Sequence, residues 1–160
     1  MANEQKETLQ LVTFQLGEEK YGIDIMDVKE IQRSLEIRAI PNAPLYIEGI
    51  ANLRGTIIPI INLHQRFHLN HADLSEEELL LKGTIIININ NMLLGVIIDK
   101  ISMVMTVQVK SIQPPPQMIS GIGSEYIQGV VNEKGEYLII LDISRLFNPI
   151  ELQRISSISE

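Results

Sequence analysis

The chain has no cysteine and no tryptophan, and aromatic residues make up only 4% of it. Without cysteine there is no thiolate zinc site, no thiol nucleophile and no disulfide, a pattern that fits the cytosol. So few aromatic faces leave no stacking platform for bases or sugars. Basic side chains are also in deficit, 13 against 20 acidic, and the net charge of −7 repels phosphate backbones and anionic lipid. Nucleic-acid binding normally needs a basic footprint and is not expected. The opening residues, MANEQKETLQ, are polar and lack the apolar stretch of a signal peptide, so residues 1–9 read as a flexible N-terminus. No uncharged apolar run approaches the roughly 20 residues of a membrane helix, so direct membrane insertion is not expected either.

What is abundant is isoleucine and valine, whose β-branched side chains suit a pleated, half-buried surface. Residues 10–17, QLVTFQLG, alternate Leu11, Thr13 and Gln15 against Val12, Phe14 and Leu16, and residues 21–25 return as a partner strand. In 26–33, Val28 and Ile31 stand three apart, which suits a helical turn and a bulged strand equally. Pro41 and Pro44 break 38–47 into an ordered loop or short helix. TIIPIINL, 56–63, reads as a buried strand with Pro59 at an edge or bulge. Ser75 and Glu78 have the spacing of a capping box opening a short acidic helix. Residues 84–99 form the strongest hairpin, turning at NINN, 88–91. A last strand at 136–143 leads into a terminal helix, 144–157, starting at or near Ser144.

The chain repeats itself. IEGIANLRGTIIPIINLHQRF (47–67) aligns with IQGVVNEKGEYLIILDISRLF (127–147) at an offset of 80, which pairs Gly49 with Gly129, Asn52 with Asn132, Gly55 with Gly135 and Phe67 with Phe147. Upstream, 14–31 lies over 87–104 at an offset of 73, pairing Gly22 with Gly95 and Val28 with Ile101. Two units are too few for a solenoid, and two small barrels packed face to face, with a groove where they meet, are the natural solution. The repeated glycines read as turn geometry with φ > 0.

Chemistry-bearing patterns are sparse. His64, His68 and His71, at i, i+4 and i+7 before Asp73, would line one face of a helix as metal ligands. A strand runs straight into them and Phe67 belongs in a core, so surface histidines are the plainer reading and no metal is assigned. Ser34, Ser75, Ser102, Ser111 and Ser120 lack a nucleophile elbow, and GIGS, 121–124, lacks the lysine and helix of a phosphate loop. Asp24, Asp27 and Glu30 read as a solvated face. No catalytic residue and no cofactor site is found. Glu30 and Arg54 each border an apolar segment, with Lys134 in arginine's place in the second copy. They suit a bidentate pair that fixes a surface patch or an ordinary exposed ion pair, and spacing does not choose between these.

Taken together, FQLGEEKYGIDIMDVKEI, IPNAPLYIEGIANLRGTIIPIINLHQRF, LLGVIIDKISMV, SIQPPP and YIQGVV…LIILDISRLF resemble the CheW family of chemotaxis coupling proteins over residues 10–147. The family also includes the regulatory domain of the histidine kinase CheA and the CheV fusions; with no receiver or kinase domain, this chain looks like a stand-alone member. The resemblance implies a mainly β fold of two five-stranded β-barrels around a shared hydrophobic core, with a short C-terminal helix. The first barrel is expected at approximately 16–83 and the second at 84–147, joined by the N-terminal strand through exchange. It implies a non-catalytic, cytoplasmic adaptor, monomeric when free. Its partners would be the cytoplasmic tip of methyl-accepting chemoreceptors and the CheA regulatory domain, and through them it would associate with receptor arrays at the inner face of the membrane. By position, Val28, Glu30, Ile31, Gly49 and Arg54 fall where the family contacts the receptor. Ile37, Ile40, Leu45 and Tyr46 are expected on the kinase face, and Gln113 and Met118 at a second kinase contact where some relatives carry a basic residue and an aromatic. The alternatives are an adaptor of a related pathway, such as surface motility, and a histidine-based metal- or ligand-binding β-barrel.

Overall fold

A computed structural model describes residues 7–67, 69, 75–79, 82–115, 118–119 and 122–158. Along the chain run β1 (Thr8–Leu16), β2 (Glu19–Asp24), β3 (Val28–Gln32), β4 (Ile47–Leu53), β5 (Thr56–Asn62), α1 (Leu63–Phe67), α2 (Glu76–Leu79), β6 (Gly83–Ile89), β7 (Met92–Ile98) and β8 (Lys100–Gln108). There follow β9 (Met118–Ile119), β10 (Ile122–Gly123), β11 (Ile127–Glu133), β12 (Glu136–Leu141) and α3 (Pro149–Ile158). The fold is mainly β. One five-stranded sheet has the order β3-β6-β7-β5-β4 and the other β11-β12-β2-β1-β8, beside a two-stranded ribbon of β9 and β10.

The exchange between the halves is reciprocal. Both β1 and β2 join the second sheet, and β6 and β7 join the first, so the expected cut at 83/84 does not follow the sheets. The parallel contacts β5–β7 and β12–β2 are where the copies interlock. Thr8 and Leu9 belong to β1, paired with Gln108 and Val107, so the expected flexible segment 1–9 runs two residues too far.

The sheets are open rather than closed into barrels. A single isolated bridge after each edge strand ties it across: Arg38 to Ile50 in the first half, Gln113 to Val130 in the second. These crossings explain Gly49 and Gly129. A Cβ on Gly49 would lie 2.2 Å from the Arg38 carbonyl oxygen, and one on Gly129 would lie 2.3 Å from Ile112 Cγ2. Both glycines sit within strands and are required by close approach, whereas the sequence reading gave them a positive φ. That conformation belongs to Gly55 and Gly135 (φ 91° and 85°), which follow Arg54 and Lys134 (φ 49° and 53°) in two-residue hairpin loops. The same crossing accounts for Pro59. Ile50 spends both its N–H and its C=O on Arg38, so the Ile50–Pro59 pair needs no ladder bond. The missing proline N–H faces β7, whose pairing begins one residue later at Ile60. Pro59 therefore stands in an inner strand without cost, not at an edge.

One apolar cluster lies between the sheets, gathering Phe14, Leu16, Tyr21, Ile61, Leu63, Phe67, Ile85, Val96, Ile139, Leu146, Phe147 and Ile155. A smaller cluster lines each half, Ala51, Leu53, Ile58, Ile60 and Ile86 in the first and Leu11, Val107, Val131, Leu138 and Ile140 in the second. The terminal helix starts at Pro149, later than expected. Asn148 Oδ1 accepts from the Glu151 N–H at 2.8 Å and Glu151 Oε1 accepts from the Asn148 N–H at 2.9 Å, a reciprocal capping box with proline at the first helical position. Residues 143–145 form a separate 3-10 turn. No helix among the described residues is long and apolar enough to cross a membrane.

Candidate functional site

β3 resolves the open reading of 26–33: it is a bulged edge strand, its register against β6 shifting between Val28 and Glu30. The bulge turns Val28 onto the shared core as a half-buried residue and leaves Ile31 38% exposed. Just before it, Asp24 caps a 3-10 turn by accepting from the Met26 N–H, and the Met26 side chain is held in solvent, 74% exposed. Sequence reasoning passed over Met26, because nothing in its spacing separates it from a core methionine.

Glu30 projects from β3 into a depression of about 360 Å³ lined by Lys29, Leu53, Arg54, Thr56, Ile86 and Leu93. Arg54, set in the β4–β5 loop by its left-handed backbone, reaches across and grips both Glu30 oxygens through Nη1 and Nη2. Gln32 Nε2 donates to the same carboxylate at 2.5 Å. The Arg54 hydrogen bond, followed by that of Gln32, holds the Glu30 carboxyl below the ordinary range, and Glu30 in turn raises Arg54. The geometry is the bidentate arrangement, with Glu30 24% and Arg54 69% exposed, so it fixes side-chain direction in a solvated place.

The other expected residues separate. Gly49 is buried beneath Ile37 and Arg38 and acts through that crossing. Ile37 packs on the small first-half cluster, Ile40 is half-buried, and Leu45 is 84% exposed. Gln113 is exposed and bridges to Val130, while the Met118 side chain lies outside the described residues.

Tyr46 belongs to a joint between the halves that sequence reading missed. Tyr46 packs on Phe147 with ring centroids 5.5 Å apart, and Phe67 packs on Tyr126 at 5.4 Å. Both pairs obey the 80-residue offset, so each tyrosine meets the phenylalanine of the other copy. The Arg66 guanidinium lies 5.2–5.4 Å from the rings of Tyr46, Tyr126 and Phe147. It binds Glu151 of α3 through two bonds of 2.7 and 2.8 Å and donates to the Leu146 carbonyl. Burial and then the Glu151 charge raise the Tyr46 hydroxyl above its usual range. The signal was available, since Tyr46 and Tyr126 keep the same offset as Phe67 and Phe147.

His64 is not a surface histidine. It is buried in α1, with Nε2 2.8 Å from Asp99 Oδ2, an oxygen that also accepts from the Gly17 N–H at 2.8 Å. His68 and His71 lie outside the described residues, among which no cluster of three or more metal-ligating side chains occurs.

Comparison with known proteins places this architecture. Residues 10–151 match the CheW-like domain family. The chain is 55% identical to the chemotaxis protein CheW of Treponema pallidum, over 95% of this chain and 89% of the relative. It is 30% identical to the chemotaxis protein CheW of Klebsiella aerogenes, over 94% and 89%. Its backbone resembles the crystal structure of the scaffolding protein TtCheW from Thermoanaerobacter tengcongensis, with a TM-score of 0.79 and 34% identity over 92% of this chain and 93% of that one. With its two interlocked sheets and near-full-length similarity, the chain belongs to the CheW-like domain family.

Proposed function

We propose that the chain is a non-catalytic adaptor of chemotaxis signalling, which couples chemoreceptors to the histidine kinase CheA. The observation that carries the reading is the β3 edge. Met26 and Ile31 stand exposed on either side of a Glu30 fixed by Arg54, an apolar face with an oriented charge beside it. Such a face suits the helix-in-groove mode, in which the cytoplasmic tip of a methyl-accepting receptor lays its apolar stripe against Met26, Val28 and Ile31. Gly49 contributes indirectly, by admitting the crossing of Arg38, in the segment that follows β3, onto β4.

The regulatory domain of CheA takes a separate face, around exposed Leu45 with Ile37 and Ile40 beside it and Tyr46 anchoring the segment to the joint. A second kinase contact lies at Gln113 and Met118. Free, the adaptor is a monomer in the cytoplasm; through its partners it gathers at receptor arrays on the inner face of the membrane. Transient signalling contacts of this kind are often small, below about 1,200 Å² in total, and micromolar affinity corresponds to only about −8 kcal/mol.

Titration calorimetry against an isolated receptor-tip hairpin tests the reading. Val28→Asp places an unpaired charge in an apolar contact and is expected to weaken tip binding at least tenfold, leaving binding to the kinase regulatory domain unchanged. Because Val28 also touches the core, Ile31→Asp is run beside it. A folded Ile31→Asp protein with undiminished tip affinity removes β3 from the receptor site.

A further inference from the structure

The two tyrosines of the repeat stand in equivalent frames. The Tyr46 carbonyl accepts from the Asn62 N–H at 2.7 Å, and the Tyr126 carbonyl accepts from the Asp142 N–H at 3.0 Å, the same bond at the same offset. Each ring packs on the phenylalanine of the other copy. The symmetry breaks at residue 66, which is arginine where the second copy has the fully buried Leu146. The guanidinium crosses to that same residue, donating to the Leu146 carbonyl through Nε and Nη2. One cation therefore stands where the copies meet, over both tyrosine rings.

The segments that lead into the tyrosines differ as well. PNAPLY, 41–46, is braced by two prolines where the second copy has the glycine-bearing GIGSEY, 121–126. The Ile47 N–H closes a turn on the Pro44 carbonyl at 2.9 Å. Ala43 and Tyr46 are the residues of this segment that pack on the shared core, and Tyr46 supplies most of the grip because Ala43 has a single methyl. What holds the Tyr46 ring comes from elsewhere in the chain. Phe147 packs on it, and Arg66 lies 5.3 Å from its centroid. Both carboxylate oxygens of Glu151 clamp that guanidinium, and Glu151 Oε1 also accepts from the Asn148 N–H. One carboxylate thus starts α3 and holds the arginine. The relay runs from α3 through Glu151 and Arg66 to Tyr46, and ends one residue from the exposed Leu45.

We infer that Arg66 and Glu151 are positioning residues for kinase binding: through Tyr46 they hold the Leu45 segment in its binding conformation, so that α3 sets affinity for the kinase regulatory domain. The inference rests on the assignment of the kinase face to Leu45, Ile37 and Ile40. A segment ordered in advance spares the cost of ordering it on binding, so loosening it weakens binding without removing a contact. The bonds of the relay do not involve β3, and the receptor face is expected to stay unaffected.

The test is titration calorimetry of the whole chain against the isolated CheA regulatory domain and, separately, against a receptor-tip hairpin fragment. Leu45→Asp, at the contact itself, is expected to abolish kinase-domain binding. Arg66→Met is expected to weaken it roughly tenfold, and Glu151→Gln by a smaller factor in the same direction, with tip affinity unchanged for both. Glutamine keeps the acceptor that starts α3 while giving up the charge, so Glu151→Gln decides the outcome if Arg66→Met does not fold. Ring-carbon NMR of the tyrosines is expected to show the Tyr46 signals moving in both variants, in the order of their affinity losses. Kinase-domain affinity unchanged in both variants, with Leu45→Asp still disruptive, overturns the inference and leaves the kinase face standing. Equal losses for both partners, following the melting temperature, show a merely structural role and overturn it as well. No effect of Leu45→Asp overturns the kinase face and the inference together.

Discussion

Tyr21 is fully buried between the sheets, stacked on Phe14, and its hydroxyl has no hydrogen-bond partner among the described residues. A buried hydroxyl without a partner carries a desolvation cost with no return. Tyr21→Phe is therefore expected to raise stability by about 1 kcal/mol, measured as the shift of the urea midpoint at constant slope; a loss of stability would mean that the hydroxyl is satisfied. Glu30 gives a prediction in the pH dependence. Its carboxyl is held below the ordinary value by Arg54 first and Gln32 second. A carboxyl depressed on folding contributes stability above its unfolded value and loses it as pH falls through the folded one. The Arg54 clasp should thus be intact at neutral pH and open only in acid. Carboxyl-carbon NMR is expected to show Glu30 titrating below an ordinary glutamate, and Arg54→Ala to return it most of the way while leaving the fold intact. A large fall in melting temperature for that variant would make Arg54 structural.

Among the elements, α3 shows how much a short motif decides. Asn148, Pro149 and Glu151 start the helix together, and Ile155 inserts its one fully buried side chain into the shared core. Asn148→Ala should cost about 1 kcal/mol, read by thermal unfolding, with the far-ultraviolet signal almost unchanged. The strands that alternate cleanly or run fully apolar, β1, β5, β6, β7 and β12, were legible in the sequence because burial fixed their pattern. β8 was not: its residues, KISMVMTVQ, put apolar side chains on an exposed face, so alternation does not mark which side is core. The Glu30–Arg54 pair was visible as two charges bordering apolar segments. Only the bulge in β3 and the positive φ of Arg54 bring them together; the first arises from long-range pairing with β6 and the second from the β4–β5 hairpin loop. Gly49 was found but misread, since close approach by a chain segment eleven residues earlier leaves no local signature.

For the whole molecule, the reciprocal exchange of β1–β2 and β6–β7 means that neither sheet is built from one continuous half of the chain. The repeat foretold two equivalent halves, and residue patterns alone gave no sign that they interlock. Arg66 stands where the halves meet, with Tyr46, Tyr126 and Phe147 around it and Glu151 as its ion pair. Arg66→Ala removes the cation from three rings and strands the Glu151 carboxylate. It should cost about 2–4 kcal/mol by denaturant unfolding, and a near-neutral result would show that the apolar core alone sets the joint. An adaptor must hold two partners on one rigid body, which gives that joint its functional weight. The most direct test of the adaptor claim is to saturate the chain with the CheA regulatory domain and then titrate the receptor-tip hairpin into the complex by calorimetry. Simultaneous binding, with tip affinity close to that of the free chain and lost in Ile31→Asp, is the predicted result. Displacement of the kinase domain by the tip, or binding of neither to the folded chain, would contradict it.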